Sequence, residues 1–242
     1  MIGGHAMILA AGLGTRMGGL SNHTPKALTI VNGICLMDRL RAHMAAAGVT
    51  NLVVNVHHLA EQVEAHLQAD IDAGQLVISD ERGALLETGG GVKKALPLLG
   101  TEPFFVANSD ALWVDRDASN LNRLKSAWDP ALMDALLLLV PKKEALGYEG
   151  VGDFFAKPGG AQPIRFRGEA DTAPFIFGGV QLLASAAYED MPDGAFSNRQ
   201  IYRKAASVGR LYGLPIEGHW MHVGTARAIA DSEAKLASIG AD

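Results

Sequence analysis

The chain has little cysteine and no long apolar run. Cys35 is the single cysteine among 242 residues, which excludes an intramolecular disulfide and favours a cytosolic setting. No uninterrupted apolar stretch of about 18 residues is present that could span a bilayer. The N-terminal residues Met1-Ile2-Gly3-Gly4-His5 contain no lysine or arginine, unlike a secretory signal. These absences predict a cytoplasmic protein.

Charge of either sign is also modest. Charged residues make up 19% of the chain and the formal net charge is −5, so no overall field attracts nucleic acid or an anionic membrane. Any anionic ligand must therefore be held by local cations. With 48% hydrophobic residues, the chain can bury a substantial core. We expect a single domain over residues 1–242, because no repeat, low-complexity tract or clear linker interrupts it.

Apolar strand patterns alternate with helical patterns in the first half of the chain. Such alternation is typical of a parallel sheet covered on both faces. After about residue 145, short strands alternate with glycine and proline, which predicts antiparallel additions. The predicted strands cover residues 6–10, 52–56, 76–79, 103–107, 135–140, 153–156, 164–167 and 175–183, and the predicted helices cover 36–47, 59–67, 91–99, 121–128, 198–207 and 225–238. The expected fold is α/β: a Rossmann-like, mixed, mainly parallel sheet flanked by helices.

A glycine-rich turn follows the first predicted strand. The turn comprises Ala10, Ala11, Gly12, Leu13, Gly14, Thr15 and Arg16. Glycines let backbone N–H groups approach a phosphate closely. Arg16 and the later Lys26, which follows a proline, can neutralise charge on a reacting phosphoryl group. The pattern predicts a nucleoside triphosphate site, with an ordinary strand-to-helix turn as the alternative.

Two other phosphate-binding motifs do not match this turn. A dinucleotide-binding fingerprint needs a glycine where Met17 stands, and an acidic residue about 20 positions further on. Asp38 is near that distance but falls inside a predicted helix. No Gly-Lys-Ser/Thr follows the turn, so it is not a P-loop. A nicotinamide-binding oxidoreductase is therefore disfavoured.

Asp110 follows the strand predicted over residues 103–107. Ligands of parallel sheets bind outside the carboxyl ends of the strands. A carboxylate at that edge can hold Mg²⁺, which prefers oxygen ligands and bridges to substrate phosphates. An aspartate that caps a turn is the alternative.

Several sequence blocks, in order along the chain, resemble the sugar-1-phosphate nucleotidyltransferase family. The blocks are Gly12-Leu13-Gly14-Thr15-Arg16 with Pro25-Lys26, Glu87-Thr88-Gly89-Gly90-Gly91, Asn108-Ser109-Asp110, Gly152-Asp153-Phe154, and His219-Trp220-Met221-His222-Val223-Gly224-Thr225. The resemblance implies the nucleotide-diphospho-sugar transferase fold, with Mg²⁺ as cofactor. A nucleoside triphosphate and a sugar 1-phosphate would give a nucleotide sugar and pyrophosphate. Residues 1–145 would bind the nucleotide, and residues 146–242 would form a small strand-rich sugar-binding portion with a closing helix.

The resemblance also implies catalytic roles. Arg16 would bind the β- and γ-phosphates of the leaving group, Lys26 would reach the α-phosphate, and Asp110 would hold the metal. The attacking phosphate oxygen is already anionic, so alignment and charge stabilisation suffice without a general base.

The nucleobase would face a glycine-rich loop. Three glycines precede a predicted helix in this loop. The resemblance implies that Glu81 faces the base and that Thr88 or Gly89 supplies hydrogen bonds to its edge. Capping of that helix by Thr88 is an equally good interpretation.

The sugar-facing wall would include Gly152, Asp153 and Gly179, although Asp153 could instead fix a hairpin. His222 stands where the family commonly has an aspartate that completes the Mg²⁺ site. Because imidazole suits Mg²⁺ less well than a carboxylate, His222 could bind metal, bind phosphate or be structural.

Within the family, compact length and the segment Leu86-Glu87-Thr88-Gly89-Gly90-Gly91 resemble uridylyltransferases that act on N-acetylmuramate 1-phosphate in cell-wall recycling. A mannose-1-phosphate guanylyltransferase is the alternative, and a catalytically weak regulatory protein that binds nucleotide sugars is a further one. We expect a monomer or small homo-oligomer with no nucleic-acid or membrane partner.

Overall fold

The computed structural model describes residues 2–14, 23–157 and 159–241. Its strands are β1 (His5–Leu9), β2 (Ile30–Val31), β3 (Ile34–Cys35), β4 (Asn51–Val56), β5 (Leu76–Asp80), β6 (Phe104–Asn108), β7 (Ala111–Asp115), β8 (Ala135–Pro141), β9 (Ala145–Leu146), β10 (Phe154–Phe155), β11 (Gln162–Pro163), β12 (Arg165–Phe166), β13 (Phe175–Leu183), β14 (Leu211–Pro215) and β15 (Gly218–His222). Its α-helices are α1 (Leu36–Ala46), α2 (Ala60–Asp72), α3 (Glu87–Leu99), α4 (Asn120–Ala127), α5 (Arg199–Ser207) and α6 (Ala226–Ser238).

The central sheet has the strand order β11-β14-β8-β13-β6-β1-β4-β5 along its main path. Neighbours are parallel from β6 through β1 and β4 to β5, and β14 is parallel to β8. β13 lies between β6 and β8 and runs antiparallel to both. The short β10 pairs antiparallel with β13, and β12 pairs antiparallel with β10. The predicted mixed, mainly parallel α/β fold is confirmed.

Both faces of the sheet are covered because side chains along a strand alternate between its faces. On β1, Ala6 and Ile8 join an apolar cluster with residues of α1, α2 and α4, whereas Met7 joins a second cluster with residues of α3 and α5. All three side chains are fully buried. A strand buried on both faces reads as a continuous apolar run, which is why the sequence identified it.

A second sheet, of order β7-β15-β9, is not predicted from the sequence. β7 begins directly after Asp110, and β15 pairs with it antiparallel so that His222 lies opposite Ala111. α6 packs against β15. At the start of α6, the Thr225 hydroxyl accepts a hydrogen bond from the Ala228 N–H at 3.2 Å, which confirms the expected cap.

One predicted helix begins earlier than expected. The sequence places three glycines ahead of a helix that starts at residue 91, but α3 starts at Glu87, so Gly89, Gly90 and Gly91 lie in its first turns. Helical positions disfavour glycine, but Gly89 and Gly90 pack closely against the chain near Phe196, and Gly91 packs against Glu81 and Asn55. Among the described helices, none is long and apolar enough to cross a membrane.

Candidate active site

A cavity of about 390 Å³ opens at the carboxyl ends of β1, β4 and β6. This is the edge at which parallel sheets bind their ligands. The predicted site residues that line the cavity are Ala10, Ala11, Gly12, Gly14, Lys26, Thr88 and Asp110. Segments more than 80 residues apart in the sequence therefore meet at one pocket, as Lys26 and Asp110 illustrate.

Lys26 and Asp110 form an ion pair inside the cavity. Lys26 Nζ lies 2.5 Å from Asp110 Oδ2, and the two side chains are 11% and 22% exposed. Pro25, at φ −55°, precedes a short 3-10 turn over Lys26–Leu28 and fixes the direction from which the lysine enters. Lys26 and Asp110 thus place one positive and one negative group side by side within the cavity.

The turn after β1 forms the floor of the cavity. Asn55 Oδ1 accepts a hydrogen bond from the Ala10 N–H at 2.7 Å, which ties the turn to the end of β4. Gly14 has a φ of +66°, a left-handed conformation that favours glycine. Thr15 and Arg16, which the sequence places in the phosphate site, lie outside the described residues.

A buried pair of polar side chains supports this turn. Asn55 Nδ2 donates to Glu81 Oε1 at 2.7 Å, and Glu81 Oε2 accepts from the Leu86 N–H at 3.2 Å. Asn55 is 2% exposed and Glu81 is 1% exposed. Glu81 does not line the cavity, and its contact with a nucleobase stays a prediction. The sequence missed Asn55, because an asparagine at the end of an apolar strand carries no distinguishing pattern.

The glycines of α3 serve close packing. A Cβ on Gly89 would lie 2.4 Å from Phe196 Cε2, and one on Gly90 would lie 2.1 Å from the Gly194 carbonyl oxygen. The Gly89 N–H donates to the Phe196 carbonyl at 2.7 Å, so this N–H is engaged within the protein, and a role of Gly89 in reading a base stays a prediction. Gly89 therefore shapes the pocket by letting the chain around Phe196 approach.

Thr88 lines the cavity but does not cap α3. Leu86 occupies the N-cap position of that helix, and Thr88 Oγ1 accepts a hydrogen bond from the Asn198 N–H at 2.9 Å. The exposed Glu87 also lines the cavity and has a φ of +57°, which is uncommon outside glycine. Glu87 lies in a block that the sequence singled out, although it was not assigned a role.

The predicted sugar-binding residues do not line the cavity in the described part of the chain. Asp153 Oδ2 accepts from the Phe177 N–H at 3.1 Å, as in the hairpin alternative. A Cβ on Gly152, at φ +86°, would lie 2.1 Å from the Ala173 carbonyl oxygen. A Cβ on Gly179, at φ +84°, would lie 3.0 Å from the Ala111 Cβ and 3.6 Å from the Cβ of Asn108, which lines the cavity.

His222 lies near Asp110 in the fold but does not line the cavity. Its ring stacks on Trp220 with a centroid separation of 6.0 Å. The Asp110 carboxylate faces the cavity together with Asn108 and Ser109, a set of hard oxygen donors. Because Mg²⁺ is commonly held by one or two carboxylates plus waters and substrate phosphates, this donor set fits Mg²⁺ without an imidazole ligand.

Asp115 anchors the far end of β7, the strand that directly follows Asp110. Its Oδ1 accepts from Asn120 Nδ2 at 2.6 Å, and His43 Nδ1 lies 3.5 Å from its Oδ2. Burial raises the pKa of Asp115, but hydrogen bonds from His43 and Asn120 outweigh it, and the net pKa is lowered. The His43 ring also stacks on Trp113 at 4.1 Å, which fixes α1 against β7.

A cavity at the carboxyl ends of the parallel strands holds a lysine and an aspartate. This combination of sheet and site is typical of nucleotide-binding α/β proteins. Comparison with known proteins narrows this class. The chain belongs to the MobA-like NTP transferase domain family, whose model matches residues 6–191. It is therefore a nucleotidyltransferase.

Curated relatives resemble nearly the whole chain. An N-acetylmuramate alpha-1-phosphate uridylyltransferase of Caulobacter vibrioides is 45% identical over 235 residues, 96% of each chain. One of Neisseria meningitidis is 32% identical over 95% of this chain and 96% of its own. A mannose-1-phosphate guanyltransferase beta-B of Xenopus laevis is 26% identical over 90% of this chain but 61% of its own. The resemblance to guanyltransferases is thus the more distant one.

A solved structure confirms the fold. A UDP-glucose pyrophosphorylase complexed with UDP-glucose superposes with a TM-score of 0.77 at 16% identity and covers 98% of this chain and 100% of that chain.

Proposed function

We propose that the protein transfers a uridylyl group from UTP to N-acetylmuramate 1-phosphate, as in cell-wall recycling, and releases pyrophosphate. The observation that carries the proposal is the identity to the Caulobacter uridylyltransferase across nearly the whole of both chains. The cavity at the strand ends, with its Lys26–Asp110 pair, supports it independently. We also infer that the enzyme acts in the cytoplasm.

In the proposed reaction, an oxygen of the sugar phosphate forms a bond to the α-phosphorus of UTP. The bond from that phosphorus to the bridging oxygen of pyrophosphate breaks, and pyrophosphate leaves with that electron pair. The attacking oxygen is anionic, so the protein needs to align the reactants and stabilise charge.

Lys26 would contact the α-phosphate, because its side chain already lines the cavity at the start of the 3-10 turn that follows Pro25. Backbone N–H groups from Ala11 to Gly14, together with Thr15 and Arg16, would hold the β- and γ-phosphates, since the Ala10 N–H already donates to Asn55. Asp110 would hold Mg²⁺, which when bound screens the repulsion between two anionic reactants. A phosphate that reaches Lys26 would replace the Asp110 carboxylate as the partner of the ammonium group. The carboxylate would then be available to bind the metal.

The base and sugar sides follow from the same geometry. Thr88 lines the cavity and would face the nucleobase, whereas Gly89 and Glu81 would act by holding the walls in place. For the sugar side, Ser197 is where residues 146–242 line the pocket, and Gly179 would support the pocket through its packing against Asn108. Gly152 and Asp153 would shape that portion of the chain through their contacts with neighbouring strands.

Pyrophosphate release tests the proposal when UTP, GTP, dTTP and CTP are each paired with the 1-phosphates of N-acetylmuramate, mannose and glucose in the presence of Mg²⁺. UTP with N-acetylmuramate 1-phosphate should give the highest kcat/KM. A preference for GTP with mannose 1-phosphate would replace our proposal with the guanylyltransferase. Turnover of none of the pairs would reject both.

Lys26→Met separates catalysis from folding. Because the lost contact is charge-assisted and lies in a partly desolvated site, kcat should fall by on the order of 10² to 10³. Lys204→Met is the matched control, since Lys204 forms a comparable ion pair with Asp190 at 3.1 Å on the exposed surface. Near-normal turnover in Lys26→Met would remove Lys26 from the mechanism.

A further inference from the structure

A second group of chemically active side chains lies outside the cavity, between α1 and α2. Cys35 occupies the N-cap position of α1, Asp38 lies in its first turn, and His66 projects from α2. Cys35 Sγ is 3.2 Å from Asp38 Oδ2 and 3.6 Å from His66 Nε2, and His66 Nε2 is 2.9 Å from Asp38 Oδ1. Two helices thus bring a sulfur, an imidazole nitrogen and a carboxylate to one point.

The spacing of these atoms matches one face of a tetrahedral coordination shell. With Zn–S near 2.3 Å and Zn–N near 2.0–2.1 Å, two ligand atoms of a tetrahedral zinc lie about 3.5 Å apart. The three donors here all lie within 4.8 Å of one another, and the sulfur–nitrogen separation of 3.6 Å is close to that edge. Small rotations of the side chains would admit an ion.

Charge and access also suit a cation. The His66 and Asp38 side chains are 33% and 38% exposed, so an ion can enter, whereas Cys35 is buried. Arg41 Nη1 lies 3.1 Å from Asp38 Oδ1, but its other terminal nitrogen pairs with Asp70. Asp70 therefore offsets the positive charge of Arg41, and the Asp38 carboxylate can bind a metal ion.

Cys35 would bind a metal as its thiolate. A bound metal would displace the thiol proton to solvent and form the sulfur–metal bond in its place.

We propose that Cys35, Asp38 and His66 form a Zn²⁺ site with a fourth position open to water. A mixed sulfur, nitrogen and oxygen donor set selects zinc over Mg²⁺. The site would join α1 to α2 close to the catalytic lysine, because α1 follows the β2–β3 hairpin and the Leu36 N–H donates to the Thr29 carbonyl at 3.0 Å. This proposal does not depend on which nucleotide or sugar the enzyme uses.

Titration of the untagged, metal-free protein with Co²⁺ tests the site. Since the chain has a single cysteine, any thiolate-to-cobalt absorption band must arise from Cys35. We expect one equivalent of Co²⁺ to produce that band, one equivalent of Zn²⁺ to abolish it, and Cys35→Ser to lack it. His66→Gln and Asp38→Asn should each weaken cobalt affinity by about 10-fold or more.

His219→Gln is the matched control, because His219 lies on β15, outside the cluster. The affinity of this variant for cobalt should equal that of the wild type. The absence of a thiolate band would overturn the proposal. So would a band whose affinity is unchanged in both His66→Gln and Asp38→Asn, since the thiol would then bind metal without its neighbours.

Discussion

Replacement of Asn55 by alanine should weaken both the fold and the nucleotide site. Asn55 joins three segments, because its side chain accepts from the Ala10 N–H and donates to Glu81, which in turn accepts from the Leu86 N–H. Alanine keeps the strand but removes both hydrogen bonds of the amide. The Ala10 N–H and the Glu81 carboxylate then lose partners in a region where Asn55 and Glu81 are nearly inaccessible to water.

The size of the effect follows from these two contacts. A buried N–H left without an acceptor costs about 1–3 kcal/mol, and a hydrogen bond to a charged group contributes about 1.5–3 kcal/mol. Partial relaxation and water entry would offset some of this. We expect the free energy of unfolding to fall by about 2–5 kcal/mol, a large part of the ~5–15 kcal/mol that typical domains possess.

Urea denaturation followed by circular dichroism measures this loss, and steady-state kinetics measure its effect on the site. Because Ala10 lines the cavity, a displaced turn should raise the KM for UTP by roughly tenfold, equivalent to about 1.4 kcal/mol. Asn51→Ala is the control. Asn51 begins the same strand but is exposed, with its Nδ2 2.8 Å from His5 Nε2, and its loss should change stability by no more than about 0.5 kcal/mol.

The reasoning is refuted if Asn55→Ala unfolds at the same urea concentration as Asn51→Ala. Such a result would mean that water or a shifted side chain satisfies Glu81 and the Ala10 N–H. A loss of stability with an unchanged KM would instead separate the network from the nucleotide site, and would remove only the second half of the prediction.

Two other substitutions probe the supports of the cavity. Gly90→Ala should lower the free energy of unfolding by about 1–3 kcal/mol, because its Cβ would lie 2.1 Å from the Gly194 carbonyl oxygen. Gly83→Ala is the control and should be near neutral, since its Cβ would meet no described atom within 4 Å. Equal urea midpoints for the two variants would contradict the packing argument. Asp115 has a lowered pKa in the fold, so its stabilisation is present above the unfolded pKa of about 3.9 and is lost as pH falls through the folded value. Asp115→Asn should therefore be less stable than wild type at pH 7, with a gap that narrows below about pH 4, and a gap of constant size from neutral to acid pH would argue against this role.

The sequence predicted the inner strands of the central sheet that are buried on both faces. A run such as Ala135–Pro141 is apolar at nearly every position, and that signal needs no knowledge of the neighbouring strands. The same reasoning missed β14 in the central sheet and β7 and β15 in the second sheet. β15 contains two histidines and a glycine, and its pairing with β7 depends on residues about 100 positions away.

The site was predictable where chemistry and location coincide in one residue. Lys26 and Asp110 are charged, follow turn or strand signals, and lie in the cavity as expected. Thr15 and Arg16 remain predictions. The triad of Cys35, Asp38 and His66 could not be found, because spacing along the sequence says nothing about how α1 and α2 pack together.

A resemblance between sequence blocks identifies which segments surround a ligand, but not which of their side chains touch it. Glu81, Gly89 and Asp153 all lie in or beside such blocks, and each makes its contacts with other parts of the protein. The Glu81 carboxylate accepts a hydrogen bond from Asn55, and Gly89 leaves room for Phe196. Both positions should tolerate substitution as poorly as a group that binds phosphate, because a different residue would displace the wall of the cavity. Kinetics distinguish the two kinds of residue: loss of a supporting residue should lower stability and raise KM together, whereas loss of Lys26 should lower kcat in a protein that unfolds as before.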